Sequence, residues 1–79
     1  EPVVAVLLRY EENAKWISRN YEELKKRFQD RWIAVLNGTV VDNDRDLSRL
    51  VESLRKKHSD NYNEIAVEYV TAKEIELIL

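Results

Sequence analysis

Three acids recur at alternate positions, Asp42, Asp44 and Asp46, the spacing with which a calcium-binding loop begins. Such a loop also needs Gly at its sixth position and a bidentate Glu at its twelfth. Here those positions hold Leu47 and Ser53. The structural reading accounts for all three acids: Asp42 ends a strand, Asp44 caps a helix and Asp46 favours its first turn. His58 is of a residue type suited to general-base work, but its neighbours are Lys57 and Ser59 and no placed acid or nucleophile accompanies it. Ser18, Ser48, Ser53 and Ser59 sit in no nucleophile elbow, and Gly38, the single glycine, rules out a Gly-rich phosphate loop. With no cysteine and one histidine, a thiolate metal site and a His-based zinc site within one chain are excluded. No catalytic residue, metal ligand or cofactor is assigned, no small-molecule substrate is identified, and we expect a non-enzyme.

Two basic runs, Lys25-Lys26-Arg27 and Arg55-Lys56-Lys57, would serve a nucleic acid if their helix ends converged, with Trp16, Tyr21, Phe28 and Trp32 as stacking platforms. Each run is also explained by the negative end of its own helix. Tyr21 and Phe28 lie on an apolar stripe and read as core. The net charge of −2, built from many residues of both signs, argues against a nucleic-acid binder. Association with protein suits the residues better. The contact residues we expect are Val3, Val6, Leu7, Tyr10, Ile75, Leu77 and Leu79, because a 79-residue chain rarely leaves apolar surface unused. The alternative is a nucleic-acid-associated regulator using Lys25, Lys26, Arg27, Arg55, Lys56 and Lys57.

The elements that must position these residues follow from periodicity. Val3, Leu7, Tyr10, Ala14, Ile17, Tyr21, Leu24 and Phe28 are spaced 4-3-4-3-4-3-4, a heptad stripe that predicts helix. Pro2 suits a first helical position, although the β-branched Val3-Val4-Ala5-Val6 would also suit a strand. Asn20 with Glu23 three residues on resembles a capping box, so a break is expected near Ser18-Arg19-Asn20. Trp32 to Leu36 and Thr39 to Asp42 are β-rich runs joined by Asn37-Gly38, the pair a type I′ hairpin favours. That turn pairs Leu36 with Thr39, Val35 with Val40, Ala34 with Val41 and Ile33 with Asp42. One face then carries Trp32, Ala34, Leu36 and Val41, and the other carries Ile33, Val35 and Val40. Both faces of the first strand are apolar, so each needs a cover.

Leu47, Leu50, Val51 and Leu54 form the stripe of a helix from about Asp44 to His58. Ser59 to Asn63 reads as a loop. Glu64 to Thr71 reads as a strand with Ile65, Val67 and Tyr69 on one face, and Ile75 to Leu79 as a weaker terminal strand. The expected fold is α+β: N-terminal helices, a hairpin, a helix, then one or two strands. The sheet is small and mainly antiparallel, of order 2-1-3, packed by helices. We expect one domain over residues 1–79, helical over 1–30 with a ββαβ(β) core over 31–79. The longest apolar run, Val3 to Leu8, is too short to span a bilayer or to serve as a signal peptide, so a cytoplasmic location is expected. The absence of an initiator Met suggests a trimmed start. Charged residues at 35% with one Gly and one Pro lean towards a thermophile, against which six asparagines count.

The chain resembles a family of short archaeal and bacterial proteins known as domain of unknown function 5678. The residues that carry the resemblance are Trp16, Asn20-Tyr21-Glu22-Glu23-Leu24, Trp32-Ile33-Ala34-Val35, Gly38, Val40-Val41, Asp46-Leu47, Leu50 and Glu68-Tyr69-Val70. It covers roughly residues 14 to 71. The resemblance implies a small α+β module without assigned chemistry and transfers no catalytic residue. Together these readings lead us to expect a non-catalytic interaction module, a homodimer or an accessory subunit.

Overall fold

In the computed structural model, which describes residues 2–71, two helices open the chain. They are α1 (Val3–Arg19) and α2 (Tyr21–Arg27); β1 (Arg31–Leu36), β2 (Thr39–Asp44), α3 (Leu47–Lys57), a 3₁₀ turn (Tyr62–Glu64) and β3 (Ala66–Val70) follow. The strands form an antiparallel sheet of order β2-β1-β3, as the two-sided apolar character of β1 requires. Ile33, Ala34 and Val35 are fully buried. One face of the sheet packs Ile33, Val35, Ala66 and Val70 against Ile17 of α1 and Leu24 of α2. The other packs Ala34 and Leu36 against Leu50 and Leu54 of α3, with Ile65 alongside. The expected terminal strand at Ile75–Leu79 lies outside the described residues.

The turn between β1 and β2 is the type I′ turn that Asn37-Gly38 predicts, with φ of 53° and 69° at its two central residues. Leu36↔Thr39 and Val35↔Val40 pair as expected. Beyond them the register slips by one at a bulge: Ala34 pairs with Asp42 and Ile33 with Asn43, not with Val41 and Asp42. The reason is the Asp42 carboxylate. In an unbroken register it would face the apolar cluster of Ile17 and Leu24, where burial without a partner is costly. The bulge turns it to the other side of the sheet, where Ser53 donates a 2.7 Å hydrogen bond to Oδ2 and the Asn43 N–H a 2.8 Å bond to Oδ1. Val40 and Val41 still take the faces expected of them.

Three boundaries move for related reasons. The second strand continues to Asp44, and α3 begins at Leu47 with Asp46 as its cap, whose Oδ1 accepts from the Arg49 N–H. Asp44 instead accepts from the Asp46 N–H, closing the turn before the helix. The break between α1 and α2 falls at Asn20, yet no capping box forms there. The Asn20 side chain donates backwards to the Trp16 carbonyl at 2.9 Å, so it closes α1 rather than opening α2. Within the expected loop, Tyr62–Glu64 winds into a 3₁₀ turn, and β3 starts at Ala66 rather than Glu64.

Trp32 is half-buried, its ring tilted against Tyr69 with centroids 5.3 Å apart. Leu54, wholly buried beneath the sheet, is the more sensitive position. Leu54→Ala is expected to cost about 2–5 kcal/mol in urea unfolding. Gly38→Val should destabilise by at least ~1 kcal/mol through its left-handed φ, since the nearest atoms to a Cβ there are Trp16 ring atoms at an ordinary 3.5 Å.

Candidate functional site

The surface that needs explaining is the start of α1. Pro2 is extended, and its carbonyl accepts from Ala5 N–H at 3.1 Å, so the helix begins directly on a β-branched run. Successive residues turn by about 100°, which sets Val3, Val4, Leu7 and Leu8 side by side. Val3 and Leu7 continue the stripe of Ala14 and Ile17 past the edge of the sheet, and Val4 and Leu8 are turned further from Asn13. Their exposures are 72%, 66%, 56% and 57%, and Tyr10 is 42% exposed. Further along the same arc stand Glu11, Lys15 and Ser18, so the apolar character ends after two turns. The heptad stripe is therefore core only from Ala14 onward.

What fixes this end of the helix is polar. Asn13 is 4% exposed; its Nδ2 donates to the Glu64 carbonyl at 2.8 Å, and its Oδ1 accepts from the Asn37 N–H at 3.0 Å. One side chain thus ties α1 to the turn before β3 and to the hairpin tip. One helical turn earlier, the Arg9 guanidinium donates to the Glu64 carboxylate at 2.7 Å. Residues before Arg9 project past these ties. Sequence reasoning missed Asn13, although its place four residues before Ile17 put it on the inward side. Val4 and Leu8 were missed too, each adjacent to a stripe position.

Of the expected contact residues, Val3, Leu7 and Tyr10 are exposed while Val6 is partly buried. Ile75, Leu77 and Leu79 lie outside the described residues. The basic residues are not brought together. Lys25, Lys26 and Arg27 sit on α2 against one face of the sheet, and Arg55, Lys56 and Lys57 on α3 against the other. Each also has a partner: Lys25 pairs with Glu22, Lys26 with Glu23, Lys56 with Glu52 and Lys57 with Asp42, while Arg27 lies over Phe28 and Arg55 over Tyr62. Phe28 and Tyr21 pack on the core as expected.

The chemical readings gather no further geometry. Asp42, Asp44 and Asp46 are each engaged in the local bonds already described, and among the described residues no group of three acids or histidines is placed to hold a metal ion. His58 caps the end of α3. Two shallow hollows, of about 280 and 240 Å³, meet at Trp16 and Gly38, below the usual size of ligand pockets. Among the described residues no helix is long and apolar enough to cross a membrane.

A family model described as "Family of unknown function (DUF5678)" matches residues 23–73. The chain belongs to this family. The matched segment runs from α2 to just past β3 and leaves α1 outside it, together with Trp16 and Asn20-Tyr21-Glu22. No curated protein and no solved structure matches the chain. Replacing Asn13 by Leu keeps the branch at Cγ but is bulkier and strands the Glu64 carbonyl and the Asn37 N–H; a loss of at least about 1–3 kcal/mol in urea unfolding is expected.

Proposed function

With family membership carrying no assigned activity, we propose that this protein is a non-catalytic association module. The occupant of its apolar surface is a second copy of the chain. The observation that carries the reading is the exposure of Val3, Val4, Leu7 and Leu8 on one face of α1, while that helix beyond Tyr10 is either packed or polar. A two-fold pair presents the same patch from both sides, so each copy covers the other's leucines with like surface. A lipid-surface helix would carry several Lys or Arg on its polar face. The first turns of α1 carry only Arg9, which is committed to Glu64.

The alternative, a nucleic-acid-associated regulator, draws less support. Its six cations are divided between opposite sides of the sheet and matched with carboxylates or rings. An accessory subunit bound to an unrelated protein uses the same apolar face, and it differs in remaining monomeric alone.

Light scattering of the full chain across a concentration series decides between these. The expected result is twice the chain mass at high concentration, and the monomer mass for a variant carrying Leu7→Glu and Leu8→Glu with an unchanged circular dichroism spectrum. A wild-type chain that stays monomeric throughout the series excludes self-association. A dimer untouched by the double substitution moves the interface elsewhere.

A further inference from the structure

The hairpin tip holds a reactive pair that the association reading leaves unused. Six asparagines are followed in turn by Ala14, Tyr21, Gly38, Asp44, Tyr62 and Glu64. Only at Asn37 does the next residue lack a Cβ that would crowd its backbone nitrogen. Asn37 and Gly38 are both exposed. We propose that Asn37 is a site of spontaneous deamidation, and that the folded turn, held by Asn13, keeps it closed.

The chemistry needs only water and a solvent base. The Gly38 backbone nitrogen, deprotonated by that base, attacks Cγ of Asn37. The new N–Cγ bond closes a five-membered succinimide, the Cγ–Nδ2 bond breaks, and ammonia leaves with that nitrogen. Water then opens the imide at either carbonyl. Attack at Cγ leaves aspartate in an unaltered main chain; attack at the main-chain carbonyl leaves isoaspartate, whose main chain runs through Cβ. The net change is amide plus water to acid plus ammonia, with no oxidation or reduction.

Ring closure requires Cβ of Asn37 and the nitrogen of Gly38 to eclipse one another about the Asn37 Cα–C bond. The turn forbids this. With φ of 53° at Asn37 and 69° at Gly38, the type I′ geometry sets ψ of Asn37 near about +30°, which leaves the two atoms roughly 150° apart about that bond. Reaching the reactive geometry means flipping the Asn37–Gly38 peptide to ψ of about −120° at Asn37, which at positive φ only Gly adopts without strain. Relieving that strain means turning the preceding peptide, whose Asn37 N–H is bound to Oδ1 of the buried Asn13. Asn13 cannot follow, because its Nδ2 is bound to the Glu64 carbonyl. Modification is therefore gated by local opening. Its product would harm the fold: isoaspartate lengthens a two-residue turn that sets the Leu36↔Thr39 pairing.

Peptide mapping by mass spectrometry follows the acid form at each asparagine after incubation of the full chain at mildly alkaline pH. Incubation in buffer and in urea separates the chemistry from the gate. In urea, Asn37 should convert first among the six. In buffer its conversion should be at least about tenfold slower, as gating by a rarely opened turn requires. Asn13→Ala, if folded by circular dichroism, should raise the rate in buffer roughly three- to tenfold, the factor for losing one hydrogen bond on the turn. Should that variant fail to fold, hydrogen exchange at the Asn37 amide of the unaltered chain tests the same gate: protection supports it, and exchange at the free rate overturns it. Equal conversion in buffer and urea also overturns the gate. An Asn37 that lags the other asparagines in urea overturns the site itself.

Discussion

A strand that is apolar on both faces cannot rest at the edge of a sheet or against solvent, and β1 is such a strand. Ile33, Ala34 and Val35, three consecutive residues with no exposed area, demand a neighbour on each edge and a layer on each side. The rest of the molecule supplies those covers. β2 reaches one edge through the shortest connection available to an antiparallel pair. The α3 crossover brings β3 to the other edge and leaves Leu50 and Leu54 beneath the sheet. α1 and α2 close the remaining side with Ile17 and Leu24. In a domain this small there is little other apolar surface from which to build.

Polar groups then decide how the covers are held. Asn13 bonds to the turn before β3 and to the hairpin tip, two points distant in sequence, and it is the one polar residue buried among those described. Because both of its bonds are satisfied, its burial costs little, while losing either partner would leave a buried group unpaired. Asp42 plays a comparable part on the opposite side. Its need for Ser53 shifts the strand register, so a carboxylate, not an apolar contact, sets the path of β2. Both residues look like ordinary surface polars in the linear chain.

The same ties mark, among the described residues, the last polar anchor of α1 on the sheet side. Beyond Arg9 and its bond to Glu64, α1 continues outward for two turns with apolar residues facing solvent. This projecting end lies outside the segment shared with the family of unknown function, whose match begins inside α2. The shared part is thus the sheet with α2 and α3, and the apolar extension belongs to the flanking helix.

Periodicity and turn chemistry made the elements legible: the heptad stripe, the Asn37-Gly38 turn and the two-faced β1 together lead to the α+β layering and the 2-1-3 order. Local signals suffice there because they depend on spacing along one helix or strand. The bulge, the role of Asn13 and the places of Val4 and Leu8 beside Val3 and Leu7 on the exposed arc were not legible. The heptad pattern ran unbroken from Val3 to Phe28, yet only its part from Ala14 onward meets the sheet. Where a stripe finds a surface to cover depends on the length and placement of the other elements. The linear chain therefore determined which residues seek burial and which turns are possible. Only the tertiary structure decided which of them achieve burial, because that turns on partners brought together from distant positions, as Asn13 with Glu64 and Asp42 with Ser53.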